Sequence, residues 1–255
     1  MKSSHRIISD HLHMTRVVAR WVPKLLTPVQ LQERVQMCRH LLNAYQNEPD
    51  FLGRLVTGDE TWFHFYEPET KQQSSVWKAT HEPPPVKAKA VQSAGKRMAT
   101  VFWDREGILL IEWLPEGRTI NAKYYCEILE RLREKIKSKR RGRITRGTVL
   151  QQDNARPHTC NATMDVIRRL GFELLPHPAY SPDLAPSDYW LFPKMKEPLC
   201  GHRYGSLSAL SSAISQWVRE TPTEFFAQGI SKLPERWHKC VQLGGDYVQK
   251  CNVDN

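Results

Sequence analysis

The clearest helical pattern in the chain starts near residue 27. Apolar side chains there recur at steps of four and three residues: Leu31, Val35, Cys38, Leu42 and Tyr45. This spacing places them on one face of a helix. Thr27 suits the N-cap and Pro28 suits the first helical position. We therefore predict a packing helix that begins at Pro28 and ends where Asn47-Glu48-Pro49 stops it.

Several apolar runs after this helix have the length and the β-branched or aromatic content of strands. They cover residues 51–66, 98–103, 108–114, 148–153 and 172–176. The second and third runs are joined by four turn residues and predict a hairpin. Between the strands, apolar stripes predict one helix capped by Thr119 and another closed by Gly171.

The last third of the chain is predicted to be mainly helical. The proline-rich run YSPDLAPSDYWLF leads into one helix, and two more are expected to finish the chain. The second of these two is predicted to start at Thr221, with Glu224 completing a capping box, and Gly244-Gly245 breaks it. The mixture of strands and helices indicates an α/β protein. Acidic residues at the ends of separate strands could converge at one sheet edge, which suits an RNase H-like fold.

Two segments lack clear periodicity. Residues 1–20 are short, basic and polar, and could be the end of a domain whose beginning is missing. Residues 67–97 contain three consecutive prolines and predict a long irregular loop. Loops of this length in compact domains are usually functional or disordered. The basic end of this loop could contact DNA, but a solvated loop explains it equally well.

The charge balance indicates a polyanionic partner. The 255 residues include 37 Lys and Arg against 27 Asp and Glu, giving a net charge of +10 and a pI of about 9.4. Nucleic acid is the common partner of such a surface. Residues 131–146 hold nine basic residues and one acid, which would suit phosphate contact, nuclear import or a solvated helix end.

Other classes of protein are disfavoured by the sequence. No apolar run is long enough for a membrane span, and the N-terminal residues lack the apolar core of a signal peptide. The six cysteines are scattered and include no C-x-x-C pair. We expect reduced thiols in an intracellular protein, without a disulfide framework or zinc site.

Three aspartates stand out by the sequence around them: Asp59 in TGDETW, Asp153 in QQDNARPH and Asp188 in APSDYW. Two hard cations can activate a nucleophile and neutralise the phosphate in phosphodiester chemistry. Magnesium in such sites is held by a few carboxylates. Glu60 adjoins Asp59, but neighbouring side chains in a strand point to opposite faces, so only one of the two can face such a site. The surrounding motif selects Asp59. For any one of these aspartates taken alone, the simpler interpretation is a structural role in a turn or at a helix cap.

The same three blocks resemble the signature of mariner-family transposases. TGDETWFHFY, QQDNARPH and HPAYSPDLAPSDYWLF occur in the family's order, with thirty-four residues between Asp153 and Asp188. WVPKLLTP resembles the family's interdomain linker. The resemblance implies an RNase H-like catalytic domain in which Asp59, Asp153 and Asp188 are the catalytic residues and bind Mg²⁺ or Mn²⁺.

The resemblance also implies an activity and partners. Such enzymes cut double-stranded DNA at the terminal inverted repeats of a transposon and join the freed end to a TA target site. They act in the nucleus as homodimers, and residues 67–97 correspond to the loop with which one subunit clasps the other. Arg156 and His158 are candidate contacts of the scissile phosphate, although ordinary loop hydrogen bonds would explain them too.

The resemblance divides the chain into three parts. Residues 1–20 would be a short helical remnant of a helix-turn-helix DNA-binding domain, residues 21–50 a linker and helix, and residues 51–250 the catalytic domain. Family members begin with two helix-turn-helix units, so the N-terminal part is expected to be truncated here. The alternative function is a catalytically silent or host-adopted remnant that binds DNA or partner proteins.

Overall fold

The centre of the protein is a mixed five-stranded sheet. A computed structural model describes residues 7–15, 19, 21–79 and 81–248. The strands are β1 (Leu55–His64), β2 (Lys96–Asp104), β3 (Gly107–Trp113), β4 (Thr148–Gln151) and β5 (Phe172–Leu175). Their order across the sheet is β3-β2-β1-β4-β5. The first three are antiparallel neighbours, whereas β4 is parallel to both β1 and β5.

Helices cover both faces of this sheet. They are α1 (Pro28–Asn47), α2 (Ala122–Lys139), α3 (Asn161–Leu170), α4 (Phe192–Lys196), α5 (Leu207–Glu220), α6 (Thr223–Ser231) and α7 (Leu233–Gln242). A π-helical turn, Ser187–Leu191, runs directly into α4. Shorter helical turns lie at Ile7–His11, Phe51–Arg54, Arg143–Arg146, Arg156–Thr159, Pro182–Leu184 and Glu197–Leu199.

Alternation along the strands divides the core into two layers. On β2, Val101 and Trp103 pack into one layer and Phe102 into the other, and all three are fully buried. Helices α2 and α3 cover the Phe102 face, whereas α1 and α4–α7 cover the opposite face. Because successive strand residues point to opposite faces, β2 is apolar on both sides, as a sheet between two helical layers requires.

Several predicted boundaries are confirmed. Helix α1 begins at Pro28 and ends at Asn47, and Thr27 forms a capping box with Gln30. The hairpin of β2 and β3 lies where it was predicted. Gly171 ends α3 in the left-handed conformation, with φ of 74°, which glycine adopts without the steric penalty of a Cβ atom.

Other predicted boundaries are wrong. The helix α2 is capped by Asn121, whose side chain accepts from the Tyr124 N–H at 2.9 Å, and not by Thr119. Thr221 does not begin a helix, because its hydroxyl donates to the last turn of α5 and α6 starts only at Thr223. Three helices, α5 to α7, finish the described chain instead of two. The first predicted strand begins at residue 55, after a helical turn.

The basic segment 131–146 is largely absorbed by the protein itself. Arg140 and Arg143 bind the fully buried Asp104, each at 2.9 Å. Other members make ion pairs or donate to backbone carbonyls: Arg131, Arg133, Lys137 and Lys139. Most of these charges therefore support the fold, which leaves three exposed members for other contacts, Lys135, Arg141 and Arg146.

The long loop was predicted in the right place, except that its last two residues already belong to β2. Between residues 65 and 95 the described chain contains no helix or strand, only isolated bridges at Tyr66 and Glu67. The five cysteines within the described residues are free thiols, and Cys251 lies outside them. None of the described helices has the length and hydrophobicity needed to cross a bilayer.

Candidate active site

The fold brings the three aspartates to one cavity of about 390 Å³. Asp59 lies within β1, Asp153 follows the end of β4 by two residues, and Asp188 lies in the π-helical turn before α4. β1 and β4 are parallel neighbours, so residues that follow β4 lie beside the second half of β1. Three carboxylates that are distant in sequence therefore line the same space.

The early end of β4 creates the room for this cavity. β1 pairs with β4 only over residues 55–57, although β1 itself continues to His64. Beyond Thr57, the π-helical turn packs against β1, and α4 lies on the same face of the sheet. Lys196, at the end of α4, reaches to 5.7 Å above the ring of Phe63 on β1. The contact of the π-helical turn with β1 places Asp188 next to Asp59.

Buried hydrogen bonds on either side of Asp188 fix the turn that carries it. Ser187 accepts a hydrogen bond from the Trp103 indole N–H at 3.0 Å. The Tyr189 hydroxyl donates to the Gly229 carbonyl at 2.8 Å. Both neighbours of Asp188 are thus anchored to the core, which leaves its own side chain facing the cavity. π-Helical turns inside helices are frequent at functional sites.

An ion pair fixes the opposite wall of the cavity, formed by residues 177–185. Arg34 of α1 donates to both oxygens of Asp183, at 2.7 and 3.0 Å, and its Nε donates to the Gly245 carbonyl at 2.7 Å. The Arg34 and Asp183 side chains are only 1% and 8% exposed. Asp183 is therefore structural and does not share a face with Asp188, as their spacing of five residues predicts.

The electrostatics of Asp59 and Asp188 are those of crowded acids. Burial raises the pKa of Asp188 to about 6, and the charge of Asp153 adds to this rise, against a hydrogen bond with Asp59 and the charge of Lys196. Burial, and then the charge of Asp188, raise the pKa of Asp59 well above its ordinary value. A cation between these groups would relieve the repulsion.

Asp153 has a different environment. Its Oδ1 accepts hydrogen bonds from the Ala155 N–H at 3.0 Å and from His158 Nδ1 at 2.6 Å. Burial raises its pKa, but these bonds outweigh burial and hold it below the ordinary value. Burial in turn opposes protonation of His158, yet its hydrogen bonds to Asp153 and Glu60 raise its pKa to about 9.

The two candidate phosphate contacts lie in different surroundings. His158 is 1% exposed and faces Asp153 and Glu60, so loop hydrogen bonding explains it and direct phosphate contact does not. Arg156 is exposed at the start of the helical turn Arg156–Thr159. Lys196, whose charge acts on Asp188, was not predicted as a site residue. It lies eight residues after Asp188, and residues eight apart share a helix face, so this spacing could have indicated that the two are close.

The chemistry of the donors suits a hard divalent cation, because all three are carboxylates. Their present arrangement is not a finished coordination shell: among the described residues, no three His, Cys, Asp or Glu side chains are arranged to hold a metal ion. Asp153 directs one oxygen to His158 and the Ala155 N–H. Burial, together with the charges of neighbouring carboxylates, raises the pKa of Asp59 and Asp188, and a bound cation would neutralise those charges.

A larger cavity of about 680 Å³ adjoins the site along β1. Glu60 and Lys196 border it, and its far side is formed by the start of the long loop at residues 67–72. Both cavities therefore have β1 residues in their walls.

Comparisons with known proteins agree with this architecture. A family model described as "Transposase (partial DDE domain)" matches residues 67–146. The mariner Mos1 transposase of Drosophila mauritiana is 38% identical over 254 residues, which is 98% of this chain and 72% of that protein. The human histone-lysine N-methyltransferase SETMAR is 33% identical over 248 residues, 96% of this chain and 36% of that protein.

A solved structure shows the same relationship in three dimensions. The Mos1 mariner paired end complex with Mn aligns with a TM-score of 0.84 and 36% identity, covering 97% of this chain and 71% of that chain. The predicted RNase H-like arrangement, a mixed sheet flanked by helices, is thereby confirmed. The family model ends before Asp153 and begins after Asp59, so the long alignments carry the assignment. The chain belongs to the mariner family of transposases and contains the catalytic domain of such an enzyme.

Proposed function

We propose that this chain cuts DNA at transposon ends and transfers the cut strand into TA target sites. The observation that supports this most directly is the convergence of Asp59, Asp153 and Asp188 on one cavity. Each comes from a different element, and each is positioned by buried hydrogen bonds or by the sheet. Such convergence is unexplained by turn or cap roles for the three residues separately.

In this proposal the three aspartates are the metal ligands, and Mg²⁺ or Mn²⁺ is the cofactor. When bound, two such cations would activate water and then a 3′-hydroxyl as nucleophile and neutralise charge on the phosphate. Asp59 and Asp188 would offer their carboxylate oxygens to such a cation. Asp153 keeps one oxygen on His158 and offers the other to the cavity. Lys196, beside Asp188, is placed to attract the phosphate backbone.

The partners follow from the family and from the charge of the chain. The net charge of +10 favours double-stranded DNA, at terminal inverted repeats and at the target. A paired-end assembly, as in the Mos1 complex, implies a homodimer, with the loop at residues 67–97 clasping the partner. An enzyme with this substrate acts in the nucleus. In this proposal residues 1–20, of which the structure describes 7–15 and 19, belong to a DNA-binding domain, residues 21–50 are a linker and helix, and residues 51–250, described as far as 248, are the catalytic domain.

The test is cleavage and joining of short DNA duplexes with Mg²⁺ or Mn²⁺. Pre-cut ends are supplied, so that strand transfer does not depend on recognition of the inverted repeats. The parent is compared with Asp153→Ala and with Asp165→Ala, an exposed aspartate of α3 whose side chain is 66% exposed. We expect activity in the parent and in Asp165→Ala and none in Asp153→Ala. Equal activity in all three would refute the assignment.

A non-catalytic DNA-binding role is the second candidate, and two observations favour it. The three aspartates are not arranged as a finished metal site, and Lys135, Arg141 and Arg146 remain exposed on the basic segment. Such a protein would bind DNA in a salt-sensitive manner through counterion release. Its binding would persist without metal and in all three aspartate variants, while the parent would neither cut nor join DNA.

A further inference from the structure

We propose that His158 is the positioning residue for Asp153, and that Glu60 holds His158 in place. This inference rests on the proposed function, because it concerns the orientation of a proposed metal ligand. It assigns roles to the buried His158 and to the partly buried Glu60, which the proposed chemistry does not itself use. Neither residue is offered as a metal ligand or as a contact of DNA.

The first contact fixes the Asp153 carboxylate. His158 Nδ1 donates to Asp153 Oδ1 at 2.6 Å, and the backbone N–H of Ala155 donates to the same oxygen at 3.0 Å. Two donors from different directions hold this oxygen and therefore limit rotation about the last side-chain bond. The second oxygen, Oδ2, remains to face the cavity. Outer hydrogen bonds of this kind orient ligating carboxylates in metal sites.

The second contact fixes the imidazole. His158 Nε2 lies 3.5 Å from Glu60 Oε2, and the Thr100 hydroxyl donates to Glu60 Oε1 at 3.0 Å. Glu60 therefore has one oxygen on β2 and the other on His158. Glu60 and its neighbour Asp59 therefore have different roles. Asp59 lines the cavity itself, whereas Glu60 acts on Asp153 indirectly, by contacting His158.

The third contact prevents the ring from tilting. His158 stacks on Tyr125, with ring centroids 4.0 Å apart and an interplanar angle of 30°. The Tyr125 hydroxyl donates to Gln152 Oε1 at 2.8 Å, and Gln152 Nε2 donates to the His158 carbonyl at 3.1 Å. Tyr125, Gln152 and His158 are thus linked in a closed cycle of two hydrogen bonds and one ring contact. A buried network in which the main polar groups are satisfied rigidifies its members.

Through these three contacts of His158, the packed core fixes the orientation of the Asp153 carboxylate. Asp153 is held by hydrogen bonds from His158 and the Ala155 N–H, which Asp59 and Asp188 do not share. A ligand whose geometry is set before the cation arrives loses less entropy when the cation binds. Loss of the His158 contact should therefore weaken cation binding before it weakens the fold.

The experiment compares His158→Asn with His158→Gln. An Asn amide can occupy the place of Nδ1 and still donate to Asp153, whereas a Gln amide reaches the place of Nε2 and serves Glu60 instead. Both variants lose the ring and its stacking on Tyr125, and they differ from each other by one methylene group, so thermal unfolding is used to compare their packing. Mn²⁺ binding to the full chain without DNA is measured from the electron paramagnetic resonance signal of free Mn²⁺, with thermal unfolding in parallel.

We expect His158→Gln to bind Mn²⁺ about 10–100-fold more weakly than the parent, the usual effect of losing an outer-shell partner. His158→Asn should retain most of the affinity, and His238→Gln, on an exposed position of α7, should match the parent. DNA cleavage and joining should follow the same order.

The possible failures are distinguishable. If the parent binds Mn²⁺ and joins DNA but both His158 variants behave like it, the positioning role is refuted and the proposed function stands. If Asn and Gln weaken binding equally, the ring acts through packing alone, which also refutes it. If the parent neither binds Mn²⁺ nor acts on DNA, the proposed function fails and this inference fails with it.

Discussion

Asp188→Asn should make the metal-free protein more stable at neutral pH. In the parent, Asp188 must ionise in a half-buried position close to Asp59 and Asp153. Asparagine has nearly the same shape and carries no charge, so the turn at Ser187–Leu191 is kept and the repulsion is removed. A site that must attract a cation is expected to be unfavourable without one.

The size of the effect follows from the pKa. The pKa of Asp188 rises from 3.8 to about 6, roughly two units at about 1.36 kcal/mol each, which sets an upper limit of about 3 kcal/mol. Because an amide is also buried at some cost, we expect about 1–3 kcal/mol. The folded-state pKa is raised, so the folded protein binds the extra proton. The contribution of Asp188 to the free energy of unfolding is therefore fully present below about pH 4, and it is lost as pH rises through about 6.

The assay is thermal unfolding in EDTA from pH 4.5 to pH 8. For a domain of this size, 1 kcal/mol corresponds to roughly 2–4 °C in Tm. The difference between variant and parent should be small at pH 4.5, grow with pH and be constant above about pH 7. Mg²⁺ or Mn²⁺ should then stabilise the parent more than the variant, by mass action on the folded state.

Asp183→Asn is the matched control, in the same segment and with the opposite expected sign. Asp183 forms a buried ion pair with Arg34, and breaking such a pair usually costs about 3–5 kcal/mol. If Asp188→Asn were no more stable than the parent at pH 8, or if its advantage persisted unchanged at pH 4.5, the buried and crowded charge of Asp188 would not be the cause.

Three further outcomes are expected. Asp104→Ala should destabilise the protein by about 3–5 kcal/mol in urea unfolding, because it removes the buried partner of Arg140 and Arg143 and leaves them only the half-exposed Glu106; a change below about 1 kcal/mol would contradict this. Gly58→Ala should destabilise by about 1–3 kcal/mol, because the added Cβ would overlap the buried Phe102 ring, and Gly205→Ala, where there is open space, is its control. DNA binding in a filter assay should weaken linearly on a plot of log affinity against log salt, and insensitivity to salt would exclude binding through phosphate contacts.

Much of the fold could be predicted because local signals and tertiary structure agree. The capping box at Thr27 and Gln30 and the glycine at residue 171 mark helix ends by local chemistry alone. The misplaced boundaries lie where two suitable residues compete. Thr119 and Asn121 can both cap a helix, and α2 begins after the asparagine, two residues later than predicted. Thr221 has the right chemistry for a cap, but its hydroxyl is taken by the preceding helix.

The site could be predicted in part for a similar reason. The three aspartates lie in distinctive sequence blocks, so their convergence could be anticipated. The group around His158 could not, because its partner Glu60 is ninety-eight positions away and on the strand face opposite to Asp59. Alternation along a strand indicates which face a residue takes, but not which loop covers that face. The contact of Glu60 with His158 depends on β1 and β4 being neighbours in the sheet, and sequence spacing alone does not predict that.

The early end of β4 has a consequence for solubility. A strand edge without a neighbour is a template for pairing with another molecule, and the second half of β1 contains Thr61, Trp62 and Phe63. The turn Ser187–Leu191 and α4 pack on the face of the sheet next to that edge. Loosening them would separate Asp188 from Asp59 and widen access to the edge at the same time. Loss of the catalytic arrangement and a tendency to aggregate are therefore expected to appear together, in the same variants.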